Sequence, residues 1–480
     1  MVIVIGRTGY PLFLIVSEMV FVTFAEYLNS LRDKRVAVIG AGISNTPLIE
    51  ALLNAGIDTT VCDRQTREGL GEIITHFEQM AAKLRLGDDY LDNLEADIIF
   101  RTPGMMPWNQ ALVEAVDGGA VLTSEMEVFF EVCPCKIIAV TGSDGKTTTT
   151  TIISELLMRD GKRVHIGGNI GKPLLCEADR MLPDDVAVLE LSSFQLITMD
   201  KSPDIAVITN ITPNHLDVHR DMEEYVKAKR NVFAHQDSAS RVVLNLDNDI
   251  TRSFADSTSS ETLFFSRLEK VHDGIYAENG IIYESKAGIS KEIMACAEVL
   301  LPGMHNIENY MAAFAAVMGL VGQNAMIETA KNFNGVSHRI ELVRELRDVR
   351  YYNDSIASSP TRTIAGLRAF EQKVILIAGG KDKGIEFEEL GSEIVNHVKI
   401  LVLTGLTAQT IKKAVLASRN YIDKPDIIIE EDFEQAIHIA AKSAKEGDVV
   451  LLSPACTSFD RFKNFEERGD TFKEIVRGMI

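Results

Sequence analysis

Short runs of consecutive apolar residues recur along the chain and alternate with segments whose apolar positions fall three or four apart. The runs read as buried strands at Arg35–Gly40, Asp58–Asp63, Asp97–Phe100, Ile137–Val140, Val186–Leu191, Ile205–Thr209 and Val242–Asn245, and again at Val374–Ala378, Ile400–Leu403 and Asp448–Leu452. The helical spacing predicts helices at Pro47–Asn54, through Ile152, Ile153, Leu156 and Leu157, at Met222–Phe233, at Asn306–Leu320 and at Glu434–Lys445. Such alternation specifies α/β layers on mostly parallel sheets. One patch departs from it. Thr262–Tyr283 is β-like, with turn residues Asp273, Gly274, Asn279 and Gly280, and predicts a hairpin or meander appended to the central sheet.

The pattern breaks at Cys133-Pro134-Cys135 and restarts after Gly335, which divides the chain into units at 25–133, 134–336 and 337–480. Three α/β domains suit a length of 480 residues, too long for one core. The expected class is an N-terminal Rossmann-like domain, a central P-loop ATPase-like domain and a C-terminal Rossmann-like domain. Residues 1–24 are strongly apolar but carry Arg7, Pro11 and Glu18, short of a clean membrane span and without a convincing cleavage site. A flexible or helical extension, a membrane-associating arm and a start assigned too early, with Met19 as the later start, all fit; the last is favoured.

Charge narrows the partners. With 49 basic against 69 acidic residues the net charge is −20, so the overall field repels polyanions and no nucleic-acid partner is expected. No stable membrane insertion is expected either. Six scattered cysteines lack the spacing of a zinc knuckle and read as reduced thiols of a cytoplasmic protein.

The chemistry concentrates at strand ends. In TGSDGKTTT, after Ile137–Val140, Gly142 and Gly145 permit a tight turn whose N–H groups and helix start face an anion, through Ser143, Asp144 and Thr148. Lys146 adds a positive charge and Thr147 a hydroxyl for a phosphate-bound Mg²⁺. The common phosphate-loop spacing would place its first glycine at Val140, so only the Gly-Lys-Thr end is kept. An ordinary glycine turn is the alternative. Glu190 ends a strand, where a second Mg²⁺ ligand is wanted or a solvated acid would sit, and Ser192 follows, suited to capping a turn. Asn210–His219 gathers His215, Asp217 and His219, with His215 favoured over a plain polar turn. On Met222–Phe233, Tyr225, Lys229 and Phe233 share a face, and Lys229 by pattern alone belongs at the surface.

The first unit opens strand, glycine turn, helix, strand, with Asp63 about twenty residues on, and the third glycine of the dinucleotide fingerprint replaced by Asn45. Thr102, Pro103 and Gly104 form another strand-end loop. In the third unit Arg339 is either a structural tie or a phosphate clamp, and Asp354 either accepts from ribose hydroxyls or makes an Asx turn. Lys381 and Lys383 lie on the turn GGKDKG and suit an anionic carboxylate; a bare solvated turn is the other reading. In Ser453–Gly469, Phe459, Phe462 and Phe465 among charges predict a helix resting on a core.

TGSDGKTTT, ELSSFQL, NITPNHLDVH with a following KAK, GMHNIEN, SHRIE, YNDS and LLSPACTSFDRFKNFEERG occur in that order, and together they resemble the Mur ligase family over essentially all of the chain from Arg35. The resemblance implies a monomeric, cytoplasmic peptidoglycan enzyme that joins D-glutamate to UDP-N-acetylmuramoyl-L-alanine with ATP. It implies that Gly42, Ile43, Ser44, Asp63, Arg64 and Gly104 serve the UDP-sugar, with Asn169 and Ser192 on the same substrate. Lys146 and Thr147 would handle phosphates, with two Mg²⁺ ions held by Thr147, Glu190, His215 and a carbamylated Lys229. Asn306, Asn309, Arg339 and Asp354 match nucleotide contacts, and Lys383, Ser458, Phe459 and Phe465 the D-glutamate side. The family commonly has lysine where this chain has Ile356, and threonine where it has Ser358. Another amide ligase of the same chemistry, or a nucleotide-regulated binding protein, is the alternative.

Overall fold

A computed structural model describes residues 22–42, 44–214, 218–382 and 386–480. The readings placed on residues 1–21 and on Ile43, His215, Asp217 and Lys383 lie outside the described residues.

Three sheets organise the chain. The first is wholly parallel, with strands β1 Arg35–Ile39, β2 Asp58–Asp63, β3 Lys83–Leu86, β4 Ile98–Phe100 and β5 Val121–Thr123 in the order β3-β2-β1-β4-β5. The second comprises β6 Lys136–Thr141, β7 Val164–Gly168, β8 Val186–Glu190, β9 Ile205–Ile208, β10 Arg241–Asn245, β11 Glu261–Ser266, β12 Gly274–Glu278, β13 Ile281–Lys286 and β14 Ile289–Ala295. Its order is β14-β13-β12-β11-β10-β9-β6-β8-β7. The third holds β15 Glu341–Leu346, β16 Val349–Asn353, β17 Val374–Ala378, β18 Val398–Leu403, β19 Asp426–Ile429 and β20 Val449–Leu452, ordered β15-β16-β20-β17-β18-β19. Among the described strands, antiparallel pairing joins β12, β13 and β14 in succession and β15 to β16.

The central strands are apolar on both faces because helices cover both. Val140, Val188 and Val207 pack on Ile152, Ile153 and Leu156 of the helix Lys146–Arg159 and on Tyr310 and Phe314 of the helix Met304–Val317, while Ala139, Leu189 and Ile208 face a second core shared with the first domain. That shared core runs from Val38 and Phe129 to Leu189, so the first two sheets meet across buried surface. The single tryptophan, Trp108, contributes outside it: the Arg220 guanidinium lies 4.5 Å above its ring, a contact between the first sheet's loops and the central domain.

Three expectations need correction. The β patch holds the expected meander, β12–β13–β14, but reaches on to Ala295, and its first strands, β11 and β12, pair in parallel and extend the central sheet. The predicted helix to Phe233 ends at Arg230, where the Asn231 side chain donates to the Leu196 and Ile197 carbonyls instead of continuing the turn. Ser453–Asn464 is a loop, not a helix on a core. Asn464 caps the helix Phe465–Gly478 by accepting from the Glu467 N–H, and Phe459 stands 63% exposed.

Candidate active site

The turn after β6 is stapled to the end of β9. Ser143 N–H donates to the Asn210 carbonyl (2.9 Å), Asp144 N–H to Asn210 Oδ1 (3.0 Å), and the Ser143 hydroxyl meets Tyr225 Oη at 2.9 Å. Gly142 has φ +147°, and a Cβ there would lie 1.9 Å from Thr209 Oγ1; one on Gly145, at φ +78°, would lie 2.3 Å from Asn309 Oδ1. Glycine is therefore a steric requirement at both positions. Asn309 also accepts from Thr149 Oγ1 (3.3 Å) and donates to Asn306 (3.2 Å), so the two asparagines of the helix Met304–Val317 lie against the loop.

Lys146 opens the helix and folds back, its Nζ 3.0 Å from the Gly142 carbonyl and 2.9 Å from that of Ser143. Burial holds its pKa below the ordinary lysine value, against the opposing pull of Glu190 and Asp144. Thr147 Oγ1 donates to Glu190 Oε2 at 2.6 Å, and Asn169 Nδ2 to Glu190 Oε1 at 2.8 Å. One strand-end carboxylate thus gathers two of the other residues singled out in the sequence, Thr147 and Asn169. Lys229, expected at the surface by pattern alone, is 2% exposed: its Nζ donates to the Gly142 carbonyl (2.7 Å) and sits 4.8 Å over the Tyr225 ring. Burial, and next the charge of Lys146, holds its pKa well below the ordinary value. A side chain on the helix Met222–Arg230 lands here because the helix packs its Tyr225 face against the loop.

His219, gathered with His215 in the sequence, is a core residue. It stacks on Phe194 at 5.2 Å and bonds Ser193 Oγ at 2.9 Å. Ser192 caps the short helix Ser193–Leu196 in a reciprocal pair with Gln195. Among the described residues no group of three or more His, Cys, Asp or Glu side chains is arranged to hold a metal. The oxygens that could hold one are those of Thr147 and Glu190, a hard donor set that fits Mg²⁺.

From the third domain, Arg339 is half-buried beside Asp354; burial lowers its pKa, and the charge of Glu190 opposes that shift most strongly. Asp354 is fully enclosed, accepting from Ile340 N–H (3.3 Å) and Ser453 Oγ (2.7 Å), and burial pushes its carboxyl up to about 7. Phe465 packs edge-on against His338 at 5.9 Å, and Ser458 is buried, whereas Phe459 points to solvent. Arg468, not singled out by sequence, donates to Ser355 Oγ (2.9 Å), the Ser355 carbonyl (2.8 Å) and the Cys456 carbonyl (3.1 Å), binding the Asn353–Ser355 turn to the Cys456 loop.

In the first domain, Asp63 does not stand free at its strand end. It accepts from Ala41 N–H and Gln65 N–H, both at 2.8 Å. Asn45, in the place of the third glycine, donates to the Ile39 (3.0 Å) and Gly40 (3.1 Å) carbonyls, closing the turn with a side chain. Gly42, Ser44, Arg64 and Gly104 are exposed around it. Between this domain and the central one lies a cavity of about 250 Å³ lined by Ser44, Arg101, Glu125, Asn169, Ile170 and Gln195, among others. It runs from the glycine turn to the Asn169–Glu190 pair. Arg101 and Gln195 carried no sequence signal beyond their neighbourhood of a strand-end loop and a helix cap.

A nucleotide-type phosphate loop on a mostly parallel sheet, flanked by two further α/β sheets, defines an ATP-handling ligase architecture. The chain belongs to the Mur ligase family: the pattern of the Mur ligase middle domain matches residues 140–317, and that of the Mur ligase glutamate ligase domain residues 338–456. Among its relatives, a UDP-N-acetylmuramoylalanine–D-glutamate ligase of Clostridium novyi is 50% identical over 95% of this chain and 99% of its own length. One of the same name from Ruminiclostridium cellulolyticum is 49% identical over 95% and 98%. Among solved structures, a UDP-N-acetylmuramate–alanine ligase of Thermotoga maritima superposes with TM-score 0.55 at 17% identity, covering 92% of this chain and 99% of that one.

Proposed function

We propose that the chain is an ATP-dependent amide ligase that adds D-glutamate to UDP-N-acetylmuramoyl-L-alanine in peptidoglycan precursor synthesis. The observation that carries this reading is the convergence of the phosphate loop, Glu190 and the cavity from the first domain on one point, joined to relatives of that activity at about half identity. A carboxylate is a poor electrophile. The substrate's terminal carboxylate takes the γ-phosphoryl of ATP, releasing ADP, and the D-glutamate amine then attacks the acyl phosphate, forming the amide and releasing phosphate and a proton.

The residues divide this work. The N–H groups of Gly142–Gly145 and the start of the helix Lys146–Arg159 receive the phosphates, with Lys146 as the mobile charge among them. Asn306 and Asn309, the second of them against Gly145, serve the nucleotide. Thr147 and Glu190, with His215 and carbamylated Lys229, would hold two Mg²⁺ ions, which neutralise charge on the transferring phosphoryl group. A neutral amine is the form that adds carbon dioxide, and the depressed pKa of Lys229 supports that state. Asn169, held by Glu190, and Ser192 serve the UDP-sugar, together with Gly42, Ile43, Ser44, Asp63, Arg64 and Gly104. Arg339 and Asp354 clamp the nucleotide from the third domain, and Lys383, Ser458, Phe459 and Phe465 receive D-glutamate.

No described helix is long and apolar enough to cross a membrane, and we place the enzyme in the cytoplasm as a monomer. The three domains are taken as 25–133, 134–336 and 337–480. Phosphate release with UDP-N-acetylmuramoyl-L-alanine and D-glutamate together, and not with either alone, tests the reading. Release with glycine, L-alanine, L-lysine or diaminopimelate but not with D-glutamate would overturn it.

A further inference from the structure

The helix Pro360–Arg368 lies against Asp354 through its buried side. A Cβ on Gly366 would stand 2.8 Å from Asp354 Oδ2, and the Ser453 hydroxyl that meets this carboxyl at 2.7 Å also lies 3.0 Å from Thr363 Oγ1. Arg362 comes one residue before Thr363 and four before Gly366, so it leaves the first turn of the helix on the side that flanks Asp354. Unlike Thr363 and Gly366 it is exposed. Its Nη1 donates to the Ile356 carbonyl at 3.3 Å, in the turn where isoleucine stands in place of the family's lysine. No carboxylate among the described residues forms an ion pair with it, and its guanidinium fork is open to a ligand.

The charge of Arg362 reaches beyond its own domain. Burial first, and then the charges of Arg339 and Arg362, hold Lys146 below the ordinary lysine value, and Arg362 adds to the effect of burial on Arg339 in the same way. Lys146 belongs to the phosphate loop of the central domain, whereas both arginines come from the third. Three cations from two domains therefore converge on one region, although like charges repel. The carboxylates nearby are engaged elsewhere: Glu190 by Thr147 and Asn169, Asp354 by the Ile340 N–H and Ser453. Such a cluster is balanced by an anion of high charge brought from outside, and a phosphate chain received by the loop on one side meets the arginines on the other. Arginine suits that task, because its planar fork matches two phosphate oxygens at once.

We propose that Arg362 is a phosphate-binding residue: its guanidinium, steadied by the Ile356 carbonyl, reaches from the third domain to the terminal phosphate of the bound nucleoside triphosphate. The inference rests on the ATP-dependent reading above. A charge-assisted bond between arginine and phosphate is among the stronger hydrogen bonds, and its loss corresponds to about a ten- to hundred-fold loss of affinity.

Arg362→Ala and Arg362→Gln in the full-length protein make the test. Affinities for ATP and for ADP, each with Mg²⁺ and without the other substrates, are measured by calorimetry, and KM for D-glutamate by phosphate release at saturating ATP. ADP lacks the phosphate that Arg362 is to hold. Both variants should therefore bind ATP at least about ten-fold more weakly, while ADP affinity and KM for D-glutamate stay within about two-fold. The buried contacts of Thr363 and Gly366 are untouched by either substitution, and should the Ala variant fail to fold, the Gln variant decides. Unchanged ATP affinity in a folded variant, an equal loss for ATP and ADP, or a raised KM for D-glutamate with ATP affinity intact would each overturn the proposal and leave the ligase reading standing. Failure of the unmodified protein to bind ATP would overturn both.

Discussion

Lys146 and Lys229 both donate to the Gly142 carbonyl, and burial shifts both toward the neutral form. Lys146→Ala should abolish phosphate release in a steady-state assay, since it removes the cation that opens the phosphate-loop helix and bridges the Gly142 and Ser143 carbonyls; a variant retaining a tenth of the activity would contradict the loop's role. Lys229→Ala should be nearly inactive and regain activity with added formate or acetate, which a surface lysine would not do. Periodicity alone misassigned Lys229, because a helix spacing reports a shared face and not what covers it. The Gly-Lys-Thr turn was legible because its chemistry is local, glycine at positive φ and a cation beside it. Arg101 and Arg468 were not, because each is defined by acceptors about 90 and 110 residues away in sequence, beyond any local pattern.

At the scale of elements, strands with continuous apolar runs were read to within a residue or two, since burial on both faces leaves no polar positions to blur them. Edge strands such as β3, exposed at Lys83 and half-buried beyond it, carried no such run. The β11–β14 extension was underestimated because the parallel β11–β12 pairing depends on Gly274. That residue has φ +132°, and a Cβ there would lie 1.9 Å from the Phe264 carbonyl oxygen. Gly274→Ala should cost about 3 kcal/mol or more through backbone displacement and positive-φ strain, seen as a lowered urea midpoint, with nucleotide affinity per folded molecule unchanged. Asn45 makes the complementary point: where the fingerprint glycine is missing, a side chain closes the turn with two hydrogen bonds.

Across the whole molecule, two enclosed carboxyls give stability a defined pH dependence. Asp354 and Glu125 are both pushed up to about 7 by burial. Between about pH 4 and 7 the unfolded chain releases these protons while the folded chain keeps them, so the folded state binds more protons and their contribution to stability falls as pH rises. Above about pH 7 the decline levels off. Asp354→Asn, which can still accept from Ile340 N–H, should therefore gain melting temperature relative to the parent progressively across that window; a constant offset at all pH values would show that the carboxyl ionises normally. Three sheets with short connections were legible in the alternation of the sequence, but the faces by which they meet were not, since those are decided by residues such as Phe129 and Leu189 that look like ordinary core.

The cation resting on Trp108 has an optical consequence. Because the chain holds one indole, and that indole is capped by Arg220 from the neighbouring domain, its emission reports a single boundary rather than an average over the protein. Any movement that parts the first domain from the central one lifts the guanidinium off the ring, so the chain carries a native, label-free gauge of that interface, readable on the timescale of a stopped-flow mixing experiment.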